Sequence, residues 1–293
     1  MIQTAVYRIG NAKIRLCVPE NMQIPENIKK FQVDSSEEDE KIQMTYHLQY
    51  VSDIFQIEQT LLEKRIPGKE VFRENLQLFS TSEGECRRIN LRGIQEPYAL
   101  TLTSGGHSQV WINESYREWM QSDTVFCSML ALEKRMIDTD AMILHSAYMC
   151  YQGEAILFSA PSETGKSTQA ALWEKYRGSR TINGDRSLLL KEDGVWKACG
   201  WPVCGNSGIC SNERYPIRAV VMLKQAKENR AYPLTGFRAL REIMEQITYN
   251  GWDKEFQMKV MDHLENLLQE IPVYRLECDI SENAVECLEK MFE

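Results

Sequence analysis

The chain has 293 residues, 43% hydrophobic and 26% charged, enough to bury one large or two ordinary cores with no staple. Its formal net charge of −8, with no long basic run to offset it, repels phosphate backbones and excludes nucleic acid as an expected partner. No charged leader precedes an apolar stretch, and no run approaches the ~18 apolar residues of a membrane span, so neither signal peptide nor membrane contact is expected and the chain reads as cytoplasmic.

The first third reads as strands and turns. Ala5–Ile9 and Lys13–Val18 flank the hairpin signal Gly10-Asn11, and Tyr46, Leu48 and Tyr50 alternate within a strand over 41–51. Phe72–Ser80, Cys86–Leu91, Tyr98–Thr103 and Gln109–Ile112 are further short strands, punctuated by Gly84, Gly93 and Gly105-Gly106. The acidic run Asp34–Glu40 reads as a solvated loop, with a docking strip for a basic partner as the sharper alternative. From Glu114 the apolar spacing changes to that of one long helix or two joined helices, through Met136. Two domains are therefore expected, a β-rich one over 1–113 and a mixed one over 114–293, with the boundary near 113 or within that helical segment.

In the second part, Met142–Tyr148 is a strand, Gln152-Gly153 a turn and Glu154–Ser159 a second strand. Thr168–Tyr176 reads as a helix, Ser187–Leu190 and Val195–Ala198 as a hairpin around Asp193-Gly194, and Ile217–Leu223 as a buried strand. Helices follow over 237–247 and 252–268, then a strand over Val273–Cys278 and a closing helix from Glu282. The nine cysteines include no C-x-x-C pair, and Cys199, Cys204 and Cys210 match no common metal spacing, so reduced thiols are expected.

The strongest motif is Ala160-Pro161-Ser162-Glu163-Thr164-Gly165-Lys166-Ser167, followed by Thr168. It matches the phosphate loop G-x-x-x-x-G-K-[ST] except that Ala160 replaces the first glycine. An apolar strand enters it and a helix leaves it, so backbone N–H groups can face phosphate oxygens, with Lys166 adding charge and the Ser167 hydroxyl available to Mg²⁺. Glu163 places a carboxylate in an anion site unless it turns outward. The apolar strand over 219–223 ends in Lys224, not the Asp of an ordinary NTPase. The candidate acid is instead Asp185, in Asn183-Gly184-Asp185-Arg186 ahead of a strand, where Arg186 can pair with it or grip phosphate.

Leu144-His145-Ser146, Ala160–Ser167 and Gly184-Asp185-Arg186 occur in an order and spacing that resembles the catalytic domain of HPr kinase/phosphorylase. The likeness is greatest to HPr-kinase-like proteins of ribosomal-peptide clusters, including those of lasso peptides. The resemblance implies an α/β fold like the phosphoenolpyruvate carboxykinase core, with the β-rich domain in front. It also implies ATP and Mg²⁺, and transfer of the γ-phosphoryl group to a serine-type hydroxyl. Carried over, Lys166 and the loop through Thr168 contact the nucleotide, Ser167 binds Mg²⁺, Asp185 is a metal ligand or the base, and His145 is a polar group near the phosphates. The family's acid pair is reduced here to Gly184-Asp185. Gly200–Asn212 stands where HPr kinases have a glycine-rich segment, and it resembles the peptide-cluster relatives instead. The expected partner is a peptide or protein with an acceptor serine, with oligomeric state open. Alternatives are a small-metabolite kinase and a nucleotide-binding regulatory or partner-binding module with little turnover.

Overall fold

The computed structural model describes residues 1–34 and 41–293, and for Lys69 the backbone alone. The acidic run lies outside the described residues from Ser35 onward. Two compact units are present, Met1–Leu132 and Glu133–Glu293. Among the described residues, no helix is long and apolar enough to cross a membrane.

The first unit is one eight-stranded sheet of β1 (Ile2–Ile9), β2 (Ala12–Pro19), β3 (Met44–Val51), β4 (Arg65–Arg73), β5 (Leu76–Thr81), β6 (Gly84–Asn90), β7 (Pro97–Ser104) and β8 (His107–Asn113), in the order β1-β2-β3-β8-β7-β6-β5-β4. The β2–β3 and β3–β8 pairs are parallel; the others are antiparallel. A short helix α1 (Glu26–Lys29) precedes β3. The stretch expected as one strand, Phe72–Ser80, is two: Arg73 pairs with Leu76 across a turn, because Glu74-Asn75 interrupts the apolar alternation.

Sequence reading gave no helix before residue 114, yet α2 (Ile54–Glu63) is present. Its start is capped by Asp53, whose carboxylate accepts from the Gln56 N–H, and Ile54 and Leu61 pack on Phe79, Cys86 and Leu100. The helical segment after Glu114 is three short pieces rather than one or two helices. They are a 3₁₀ helix over Glu114–Gln121, α3 (Asp123–Met129) and α4 (Leu132–Ile137). Extended backbone at Ser122 and a left-handed Ala131 (φ 53°) break it. Tyr46, Arg87 and Thr101 donate side-chain hydrogen bonds to the carbonyls of Leu130, Ser128 and Met129. Those bonds fasten the end of α3 to the sheet, so the division falls after Leu132 and the pieces up to it belong to the first unit.

The second unit contains β9 (Ala141–Tyr151), β10 (Glu154–Ser159), α5 (Lys166–Arg177), β11 (Arg180–Asn183), β12 (Arg186–Glu192), β13 (Val195–Cys199), β14 (Arg214–Gln225), β15 (Arg230–Pro233), α6 (Gly236–Met244), α7 (Lys254–Glu270), β16 (Val273–Cys278) and α8 (Glu282–Glu289). It is a mixed sheet, with β10, β14 and β16 parallel and β9 antiparallel to β10. The long strands β9 and β14 each serve three partners along their length, β9 pairing with β10, β11 and β12 and β14 with β10, β13 and β16, so β9, β12, β13, β14 and β10 form a closed circuit of hydrogen-bonded neighbours.

Alternation at period two splits the apolar residues between two faces. Leu144, Leu157 and Val220 share a core with Ile243 of α6 and with Val260 and Leu264 of α7. Met149, Phe158 and Val221 share the other with Trp173 of α5 and with Val285 and Leu288 of α8. Helices on both faces explain why these strands read as near-continuous apolar runs. Asp193 and Gly194, at φ 51° and 79°, make the two-residue turn of the β12–β13 hairpin, as their sequence implies.

Candidate functional site

The sheet ends at Ser159, and the next six residues turn the chain into α5. Ala160 is fully buried and its φ is not among the positive values, so this position does not need glycine. Gly165 does: it sits at φ 108° immediately before the helix, where an L side chain would be strained. Glu163 is also left-handed, at φ 65°, and its side chain is exposed, so the carboxylate is not enclosed in the loop. The helix that follows begins at Lys166, two residues earlier than the sequence suggests, which leaves the N–H groups of its first turn without intrahelical partners.

Lys166 is only 7% exposed. Its ammonium donates to the Ala160 carbonyl at 3.0 Å and the Pro161 carbonyl at 3.3 Å, which leaves one N–H of three uncommitted by these bonds. Burial lowers its pKa, opposed by the nearby charge of Asp185. Ser167 is exposed, and its hydroxyl donates to the Gly184 carbonyl at 3.2 Å, joining the head of α5 to the segment between β11 and β12.

That segment is held by Asn183. Its buried side chain accepts from the Asp185 and Arg186 N–H groups, both at 2.9 Å, and donates to the carbonyls of Trp201 at 2.7 Å and Val203 at 3.2 Å. A single amide thus shapes the Gly184-Asp185 bend and ties it to the stretch after β13. Ser146 N–H donates to the Asp185 carbonyl at 2.9 Å, which registers the bend on β9 beside His145. The His145 Nε2 lies 3.3 Å from Asp185 Oδ1, and the Arg186 Nε lies 3.4 Å from Oδ2. The His145 hydrogen bond lowers the Asp185 pKa most, with the Arg186 and Lys166 charges adding, against burial. Arg186 reaches away to Thr248 Oγ1 at 3.1 Å.

One cleft of about 420 Å³ gathers these groups. His145, Ser162, Glu163, Gly165, Lys166, Ser167, Thr168 and Asp185 line it; Ala160, Pro161, Thr164 and Arg186 do not. Cys204, Asn206 and Ser207, which the sequence singled out only as part of the stretch Gly200–Asn212, complete the wall. A short 3₁₀ turn over Gly205–Ser207 packs there so closely that a Cβ on Gly184 would lie 2.1 Å from Ser207 Oγ, and one on Gly205 would lie 3.1 Å from the Asp185 side chain. The signal was the pair of glycines, Gly205 and Gly208, both left-handed in the structure. Among the described residues, no group of three or more His, Cys, Asp or Glu side chains is arranged to hold a metal.

Fold and site together define a mixed α/β domain built on a glycine-lysine strand–loop–helix corner that faces a carboxylate–imidazole pair. The family model of the SynChlorMet cassette protein ScmC matches residues 112–293, over half the chain. The chain belongs to that family. No curated protein matches it. Among solved structures, the Hpr(Ser) kinase/phosphatase from Coxiella burnetii is similar at 12% identity, over 44% of this chain and 92% of that one, with a TM-score of 0.25, too low to bear on fold or activity.

Proposed function

We propose that the chain is an ATP-dependent phosphotransferase that moves the γ-phosphoryl group to a serine-type hydroxyl of a peptide or protein. One observation carries the reading: Lys166 and Ser167, at the head of α5, share a cleft with the ionised Asp185 and its His145 partner. The HPr-kinase-like order of the three motifs supports it, as does a mixed rather than doubly wound sheet, the arrangement expected of a phosphoenolpyruvate carboxykinase-like core.

In this reading the triphosphate lies against the N–H groups of the loop and the start of α5, and the remaining N–H of Lys166 meets a phosphate oxygen. Ser167 and Asp185 supply the oxygens that suit Mg²⁺, which accepts one or two protein ligands beside phosphate and water. When bound, that ion neutralises charge on the phosphate oxygens. Asp185 also orients the acceptor hydroxyl and takes its proton as the new oxygen–phosphorus bond forms and the bond to the departing ADP breaks. Its lowered pKa makes it a weak base, which suffices in a loose transition state where positioning and charge dominate. His145 holds the carboxylate in place.

Incubation with ATP·Mg²⁺ and serine-containing peptides tests the reading by mass. Phosphopeptide formation supports it; ATP binding with no transfer to any acceptor rejects it. The latter result selects the second reading, a nucleotide-binding regulatory module. That reading is favoured by Gly184, the place of a second acid, which Ser207 leaves no room to fill.

A further inference from the structure

A second cavity, of about 600 Å³, opens on the opposite side of the glycine-lysine loop. Glu163, Gly165 and Thr168 line both cavities, so the two adjoin at the loop. The two differ in character. The first carries the charged groups; the second is lined largely by apolar surface, including Ala226, Cys278 and the 76% exposed Ile280. Its walls lie at the carboxyl ends of three strands of the sheet. The loop leaves the end of β10, Gln225 and Ala226 lie at and beyond the end of β14, and Asp279 and Ile280 follow β16. These strands are mutually parallel and adjacent, and ligands of α/β sheets settle at the carboxyl ends of such strands.

The cavity is fastened to the loop. Gln225 donates to the carbonyls of Glu163 at 3.4 Å and Thr164 at 3.3 Å, so the wall at the end of β14 keeps its place relative to the loop. Gln169, on the first turns of α5 and 3% exposed, donates from Nε2 to the Asp279 carbonyl at 3.0 Å and to Cys278 Sγ at 3.2 Å. Those two bonds set the orientation of its amide. They leave Oε1 buried with no hydrogen-bond partner, an arrangement that costs free energy until a donor is supplied.

We propose that this cavity is the nucleoside subsite, which takes the adenine and ribose of the nucleotide. The base lies along Ala226 and Ile280, and its exocyclic amine donates to Gln169 Oε1. This rests on the reading of the loop as a triphosphate site. A volume of about 600 Å³ accommodates a purine nucleoside, and an acceptor in the wall selects a base edge that carries an amine over one that carries a keto oxygen.

Calorimetry on the full chain with Mg²⁺ and ATP, inosine triphosphate or inorganic tripolyphosphate tests it. ATP binds tighter than tripolyphosphate, and inosine triphosphate, which has a keto oxygen in place of the amine, binds weaker than ATP. Ile280→Ala lowers ATP affinity by about tenfold, the effect of losing a few buried methyl groups, and leaves tripolyphosphate unchanged. ATP no tighter than tripolyphosphate, or an equal loss for both ligands in Ile280→Ala, overturns the subsite while the loop reading stands. Inosine triphosphate binding as tightly as ATP overturns the role of Gln169. A chain that binds neither ATP nor tripolyphosphate fails at the loop itself, and the subsite falls with it.

Discussion

At the scale of single residues, the cleft is an arrangement of charges with unequal freedom. Lys166 is enclosed and spends two donors on its own loop, so its contribution to a ligand is one well-placed charge rather than a mobile tether. Lys166→Ala is expected to abolish most ATP binding in calorimetry while leaving the far-UV circular dichroism intact, since no core cluster includes this side chain. Equal affinity in mutant and parent would mean that the loop is not the site. Asp185 is the opposite case, a carboxylate kept ionised by its neighbours. Because its folded pKa lies below the unfolded one, its charge persists through neutral pH, and the stability it contributes is lost only as pH falls through the lowered value. Asp185→Asn preserves shape and removes charge and basicity. Phosphoryl transfer followed by mass is expected to fall by at least ~100-fold, with a smaller loss of nucleotide affinity. Turnover at the parental rate would move the assignment to Glu163 and His145. The strand–loop–helix corner was legible from the loop's spacing together with the apolar strand before it and the helix after it. Asn183 was not: its sequence context reads as a turn, and only the fold shows its amide joining two segments that lie 18 residues apart.

At the scale of elements, the stretch from Gly200 to Asn212 decides how many acids the cleft can hold. Gly184 stands against Ser207 with no space for a Cβ. Restoring an acid pair by Gly184→Asp is therefore expected to destabilise the chain by about 1–3 kcal/mol in urea unfolding, the range for overpacking. Added Ser207→Gly should recover part of that loss, and a double-mutant cycle measures the coupling. Simple additivity would show that the two positions do not compete for the same space. The same stretch is anchored at its far end by Glu213, which accepts from Arg180, Ser211 and Tyr215. The Arg180 hydrogen bond, with those of Ser211 and Tyr215 and against burial, brings the Glu213 pKa down to about 2. A depressed pKa stabilises the folded state above the ordinary carboxylate value of 4.5 and ceases to do so as pH falls through about 2. Between those limits the urea midpoint of the parent should fall more steeply with acid than that of Glu213→Gln; parallel curves would count against the anchor. Long strands and strongly periodic helices such as α7 were readable because burial on one face imposes a period. The short elements β11 and β15, at 4 residues each, carry too few residues to show one.

At the scale of the whole molecule, the two units differ in what their sequence disclosed. The first was recognisable as β-rich, but the pairing of β3 with β2 and β8 in parallel joins strands far apart in the chain, and no local pattern encodes that. In the second, the strand–loop–helix order was recoverable because a loop of that kind needs its neighbours in sequence. The circuit of strands was not, since it depends on β9 and β14 each turning between partners. That circuit has a consequence for motion. A strand at the end of a row can peel from its free side, but β9 passes from a ladder with β12 over 141–145 to one with β10 over 146–151, and β14 from β10 to β16, so neither ends its row. Their central amides should be the last to exchange with deuterium. Those of β15, at the end of its row, should exchange early, and comparable rates would refute the closure. His145 and Ser146 lie on β9, so one wall of the cleft is carried by a strand inside the circuit. The opposite wall, at Cys204–Ser207, is a short turn with no ladder behind it. Opening of the cleft therefore belongs to the turn, while the imidazole stays where the sheet has set it.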